Sequence, residues 1–143
     1  MAGQLRRGAA GGRGGEGLTA CATTYAVWGA GGAYEVICGA IAEESLDVKS
    51  ACALPGLTTG YGPSHQATED LAIFRGMPNL TIIDPCDAHE IAQVVPAMAA
   101  HRGPFYLRLL RGTVPLVLDA YGYTFELGKA KTIRDGRDVL VIA

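Results

Sequence analysis

The sequence predicts an α/β domain, a three-layer α/β/α arrangement around a mostly parallel sheet. Three observations predict it. Short β-prone or apolar runs (Thr19 to Thr24, Leu46 to Ala53, Leu80 to Ile83, Phe105 to Leu110) alternate with stretches of helical spacing. The loops between the later runs are short, which suits parallel strands with helices covering both faces of the sheet. The 143 residues, 49% apolar and 18% charged, match one globular domain with a sizeable core.

Residues 1–17 set Arg6, Arg7 and Arg13 among glycines and alanines. Each glycine costs a helix about 1 kcal/mol relative to alanine, so this stretch reads as a flexible tail or a degraded helix. Thr19 to Thr24 follows as a strand. Val27, Ala30, Tyr34, Ile37 and Ile41 give Tyr25 to Ala42 helical spacing, although Gly31 and Gly32 inside it cost about 2 kcal/mol. After the Leu46 to Ala53 strand comes the loop LPGLTTGYGPSHQ. Ala67 to Arg75 is expected to be helical, with Ser64 or His65 near its cap. Glu69 and Asp70 then suit the positive end of its dipole.

Leu80 to Ile83 reads as a buried strand, and Pro85 and Cys86 turn the chain. Asp87 with Glu90 resembles a capping box at the start of a helix. Ile91, Val94, Val95 and Met98 give that helix an apolar face, Pro96 is expected to kink it, and Gly103-Pro104 stops it. Phe105 to Leu110 is the next strand. Tyr123 to Leu127 and Ala130 to Ile133 look extended, and Asp138 to Ala143 (DVLVIA) reads as a fully buried strand. Such a strand needs neighbours from elsewhere, so the chain is expected to continue in a longer parent.

Bulk properties exclude several classes. A net charge of −2 without a basic block argues against nucleic acid. No apolar run reaches the roughly 18–20 residues that span a bilayer, and the basic amino terminus lacks the apolar stretch of a secretory signal. Cys21, Cys38, Cys52 and Cys86 show neither CxxC nor Cys/His pairing. They read as reduced, mostly buried thiols of a cytoplasmic protein, with no metal site.

Three features carry candidate chemistry. The GxGxxG string at Gly12, Gly14 and Gly17 lacks the preceding strand that a dinucleotide fingerprint needs. Tyr25 and Trp28, at i and i+3, are either core packing or a flat wall for a heterocycle at the carboxyl end of a parallel strand. His65, lifted by a glycine-rich loop, is either incidental to a surface turn or a proton donor and acceptor in carbonyl chemistry.

GLTTGYGPSHQATEDLAIFRGMPNLTIIDPCDAHEI is very similar to the transketolase pattern, in which a Gly-Pro-Thr/Ser-His-Gln loop opens a helix and a Pro-Asn-(Leu/Met)-Thr strand follows. TTYAVW, GPFYLRLLRG and FELGKAKTIRDGRDVLVIA resemble further family segments in the same order. The resemblance implies a thiamine-diphosphate enzyme that passes a two-carbon ketol unit between sugar phosphates, and it identifies this chain with the pyrimidine-binding domain. Residues 1–122 would form that domain, with 123–143 as a linker and the first strand of a carboxyl-terminal domain. Tyr25 and Trp28 would flank the pyrimidine ring, His65 would act on the substrate's oxygens, and Arg111 would bind the sugar phosphate. The diphosphate and Mg²⁺ would sit on a partner domain or subunit, in a homo- or hetero-oligomer such as a dimer.

The departures from the family are as informative. Gly3, inside Ala2-Gly3-Gln4, falls where the family carries the glutamate that activates the cofactor, so the chain alone would be nearly inert. Gly8, Gly12 and Gly17 fall where small residues occur in that helix. Leu54 replaces a second family histidine, and Tyr61 lies near the acidic residue before Gly-Pro. The alternatives are a 1-deoxyxylulose-phosphate synthase fragment, a 2-oxo-acid dehydrogenase β subunit, and a non-catalytic binding or assembly module.

Overall fold

Four parallel strands carry the molecule: β1 (Ala20–Tyr25), β2 (Val48–Ala53), β3 (Thr81–Ile83) and β4 (Phe105–Leu109), in the spatial order β1-β2-β4-β3. The computed structural model describes residues 2–142. Side chains alternate across the sheet, so each central strand feeds two cores. Val48, Cys52 and Tyr106 enter one core, and Ala51, Phe105 and Leu107 enter the other. The first core is covered by α1 (Ala2–Gly15), α2 (Ala26–Ala30), α3 (Tyr34–Ile37) and α4 (Asp70–Phe74). The second is covered by α5 (Ala88–Ala100), with Phe125 and Leu127 packed beside it. The expected three-layer α/β/α arrangement is present.

The glycine-rich amino terminus is a helix. Its buried face carries Arg7 and Ala10, and tertiary packing overrides its poor propensity. Two of its glycines allow close approach. A Cβ on Gly14 would lie 3.2 Å from Leu46 Cβ and from Val48 Cγ2, and one on Gly11 would lie 3.4 Å from Ile41 Cγ1.

The single helix expected over Tyr25 to Ala42 is broken. Gly31 and Gly32 close α2 through N–H bonds to Val27 O (2.9 Å) and Trp28 O (3.2 Å), and the chain restarts at Tyr34. From Cys38 to Ala42 it widens into a π turn. The adjacent glycines, which disfavour helix most, sit at the break. The helix expected over Ala67 to Arg75 shrinks to α4, capped by Glu69 without a side-chain bond. Asp70 stands in the first turn of α4, as expected, and is also buried in the core.

Asp87 caps α5 by accepting the Glu90 N–H at 3.0 Å. The reciprocal bond differs from a capping box, since Glu90 Oε2 accepts from Cys86 N at 2.8 Å. Val94 and Met98 are buried as expected, but Val95 is 46% exposed, because its position rotates off the packed stripe. The helix runs on through Pro96 to Ala100. Asp87 also accepts the N–H groups of Val117 (2.8 Å) and Leu118 (3.0 Å), which straps the later chain onto α5. Removal from water pushes its pKa up, but the N–H donors of Leu118, Glu90, Val117 and His89 outweigh this and hold it below the usual carboxylate range.

Past β4 the expected extended segments form no strand among the described residues. Val139, Leu140, Val141 and Ile142 are 77–85% exposed and pair with no strand among the described residues, so the burial expected with neighbours from elsewhere does not occur within this chain; Ala143 lies outside the described residues. The cysteine expectation is corrected as well. Cys52 is buried and Cys38 half-buried, but Cys21 and Cys86 are exposed. Cys21 lies on β1, an edge strand of the sheet, at an exposed position of its alternating burial pattern.

Candidate functional site

Every strand runs in the same direction, so the carboxyl ends of all four share one edge of the sheet. Ligands of open α/β sheets bind outside that edge. Tyr25 is the last residue of β1 and the cap of α2, which places Trp28 one turn further on. Their ring centroids lie 5.1 Å apart with the planes tilted by 30°.

The loop after β2 reaches the same place. Its backbone needs left-handed conformations at Leu54 (φ 59°), Gly56 (φ 60°) and Gly62 (φ 82°). Gly62 meets this at little cost and leads into the short 3₁₀ turn Pro63–His65, which presents the histidine ring. That ring lies 5.0 Å from Trp28 edge-on, 5.7 Å from Tyr25 and 5.4 Å from Tyr61. His65 Nδ1 shares a hydrogen bond with Ser64 Oγ at 2.9 Å. Arg111, two residues past β4, donates from Nη1 to Tyr61 Oη at 2.8 Å, and its guanidinium packs 5.1 Å from the Tyr61 ring centroid. The hydrogen bond to Tyr61 pushes the already high Arg111 pKa further up.

Beside the Tyr25–Trp28 pair opens a cleft of about 710 Å³, lined by Thr23, Thr24, Tyr25 and Ala53 of the strand ends, Trp28 of α2, Gly32 of the break that follows it, and Gly3 and Arg6 of α1. A Cβ on Gly3 would meet nothing within 4 Å.

The structure therefore brings all four sequence-predicted residues together. Tyr25, Trp28 and His65 form one aromatic cluster, and Arg111 joins it through Tyr61. The contribution of Tyr61 was not legible from a single sequence, though its i, i+4 spacing to His65 in a tight loop is a usable signal. Arg6 is a cleft residue that the sequence reading did not single out. Its i+3 spacing from Gly3 places both on one helical face and brings it into the cleft. Among the described residues, no group of three or more His, Cys, Asp or Glu side chains could hold a metal. No described helix is long and apolar enough to cross a membrane.

The family described as transketolase, pyrimidine binding domain, matches residues 8–116. A putative uncharacterized transketolase family protein of Sinorhizobium fredii is 71% identical over 143 residues, which is 100% of this chain and 41% of that protein. A putative transketolase C-terminal section of Methanocaldococcus jannaschii is 36% identical over 124 residues, covering 85% of this chain and 39% of that protein. The chain thus spans about two-fifths of the length of these relatives. Among solved structures, a split-gene transketolase described as an inactive β4 tetramer superposes with a TM-score of 0.84 at 38% identity, covering 96% of this chain and 44% of that one. The aromatic cleft at the strand ends, the fold and these matches agree: this chain belongs to the transketolase family and carries its pyrimidine-binding domain.

Proposed function

We propose that the chain is the pyrimidine-domain part of a transketolase-like enzyme, which transfers a two-carbon ketol unit between sugar phosphates with thiamine diphosphate. The observation that carries this reading is the Tyr25–Trp28 wall beside His65, at the carboxyl edge of a parallel sheet. The residues present suit an aminopyrimidine. The Tyr25 and Trp28 rings, tilted by 30° to each other, offer an aromatic surface, and the cleft of about 710 Å³ beside them has room for a planar heterocycle. When bound, thiamine diphosphate supplies the electron sink for carbon–carbon cleavage.

The chain's own residues then have distinct tasks. Tyr25 and Trp28 flank the ring. The His65 Nδ1 contact to Ser64 leaves Nε2 free to hold or move a proton at the substrate's oxygens. Arg111 binds the substrate phosphate through the donors that Tyr61 does not use. No carboxylate lines the cleft among the described residues, and Gly3, which does line it, stands on the family pattern in place of the activating glutamate. As an isolated chain it is therefore nearly inactive. The diphosphate and Mg²⁺ are assigned to a diphosphate-binding domain or subunit that completes the site in a cytoplasmic oligomer. Residues 1–122 form the pyrimidine domain, and 123–143 lead toward a further domain.

Calorimetric titration of thiamine diphosphate with Mg²⁺ tests this, using the chain alone and then mixed with a transketolase diphosphate-binding subunit. Binding in the mixture alone is expected, and Gly3→Glu is expected to switch on ketose cleavage there. No binding in either case, from a chain shown by circular dichroism to be folded, would overturn the reading.

A further inference from the structure

Tyr61 stands between two side chains that reach the site from different segments. Its ring centroid lies 5.4 Å from that of His65. Its hydroxyl accepts from Arg111 Nη1 at 2.8 Å, while the guanidinium packs 5.1 Å from the same ring. Among the described residues no hydrogen bond or ion pair joins Arg111 to His65 directly, and the bond to Tyr61 is the one side-chain hydrogen bond that Arg111 makes. Arg111 follows the end of β4 in a stretch without helix or strand, so regular structure does not fix where its charge points. Tyr61 is better anchored. Its N–H donates to Thr59 Oγ1 at 3.2 Å, Thr59 is buried, and Gln66 Nε2 donates to Thr59 O at 3.4 Å. At the roots of the two segments, the Asp70–Arg108 pair ties the start of α4 to β4. The tip of Arg111 is left to Tyr61.

Arginine carries five N–H donors, and one bond to a phenol leaves the rest for a ligand. A carboxylate in the same place would pair with the guanidinium as a fork and compete with an incoming anion. An untethered arginine would instead lose rotamer freedom on binding, a penalty of about two- to tenfold in affinity. We infer that Tyr61 is a positioning and specificity residue: it holds the Arg111 guanidinium at a set reach from His65 with its charge uncancelled, and so selects sugars that end in a phosphate monoester. This role rests on the proposed function, in which His65 works at the substrate's oxygens and Arg111 binds its phosphate, and it adds what couples the two.

Calorimetry would use the chain mixed with a transketolase diphosphate-binding subunit, thiamine diphosphate and Mg²⁺, titrated with D-ribose 5-phosphate and, separately, with D-ribose. Wild type is expected to bind the phosphate ester more tightly. Tyr61→Phe keeps the ring and removes the hydroxyl; the phosphate ester should then bind about two- to tenfold more weakly, with D-ribose unchanged. Tyr61→Glu should abolish the preference by pairing with Arg111. In an Arg111→Met background Tyr61→Phe should have no further effect, a result that a residue merely supporting the loop would not give. Tyr61 is 56% exposed, so these variants are expected to fold, and circular dichroism checks each. The inference is overturned if wild type shows no preference for the phosphate ester, if Tyr61→Phe binds it as wild type does, or if Tyr61→Phe costs as much without Arg111. Either of the last two, with thiamine diphosphate bound and the wild-type preference intact, leaves the proposed function standing. Absence of thiamine diphosphate binding with that preference and its Tyr61 dependence intact would remove the cofactor reading alone.

Discussion

Arg108 and Arg7 are both cations held against the same face of the sheet, but their surroundings differ. Arg108 on β4 is met by two carboxylates. Its Nε donates to Asp70 Oδ2 at 2.9 Å, its Nη1 pairs with Asp84, and Asp70 also accepts the Tyr106 hydroxyl at 2.6 Å. Burial works against the Arg108 charge, yet Asp70 and Asp84 outweigh it and push its pKa up. Lys49 on β2 is treated likewise, with Asp47 at 2.6 Å and the His101 and Gly103 carbonyls at 2.6 and 2.9 Å. Arg7 on α1 is 1% exposed and has no carboxylate among the described residues. It meets the Cys52 thiol at 3.1 Å and Ala22 O at 3.4 Å. Burial pushes the Cys52 pKa up, with Arg7 opposing, so a neutral thiol is what the guanidinium faces. The centre of the sheet compensates its charges, and the α1 junction does not. The difference separates a charge-compensated β2–β4–α4 region from an α1 junction that buries a cation without a carboxylate.

The sharpest test removes compensation where it exists. Asp70→Asn takes the charge from a buried carboxylate that serves both Arg108 and Tyr106. Breaking one side of a buried pair costs about 3–5 kcal/mol, and the urea midpoint should fall accordingly with little change in slope. A loss well under 1 kcal/mol would erase the contrast between the regions. The opposite change at the other site should have the opposite sign. Arg7→Met replaces a buried cation without a carboxylate partner by an apolar chain of similar length, with the gain of about 1–4 kcal/mol seen when buried ion pairs are replaced by apolar residues as its upper scale. A higher urea midpoint is expected, and a lower one would mean that the thiol and carbonyl contacts fully offset the burial of the charge.

That contrast was only half visible in the sequence. The strands, α5 and the aromatic pair could be read because their signals are local: apolar runs, an Asp-x-x-Glu start and i, i+3 spacing. The partners of Arg108 lie 38 and 24 residues away, on α4 and just past β3, and no periodicity connects them. Asp70 was legible as an acid at a helix start, which it is, but its second role in a core ion pair with Arg108 was not. The α1 glycines left a tail and a degraded helix both open because propensity is a local average, whereas α1 is a helix held by packing on the first core. The exposed DVLVI segment shows the converse. Its composition fits a buried strand, but composition cannot supply the neighbours a strand needs. At the site, His65, Tyr25, Trp28 and Arg111 were legible through the family pattern. Tyr61 and Arg6 came into view only once the loop and α1 were placed in space.

The smallest expected effect separates two reasons for the glycines of α1. A Cβ at Gly12 would meet nothing within 4 Å, so alanine there should act through backbone propensity alone. Replacing an interior helical glycine with alanine gains about 0.5–1 kcal/mol. Gly14 sits against β2, where a Cβ would come within 3.2 Å of both Leu46 Cβ and Val48 Cγ2. Contacts that tight force a side-chain or helix shift, which offsets the same propensity gain. Gly12→Ala should therefore raise the urea midpoint, and Gly14→Ala should raise it less or lower it. Equal gains at the two positions would mean that α1 moves freely enough to absorb a methyl group. The α1 junction would then be looser than its packing distances indicate, and the contrast with the compensated centre of the sheet would be wider still.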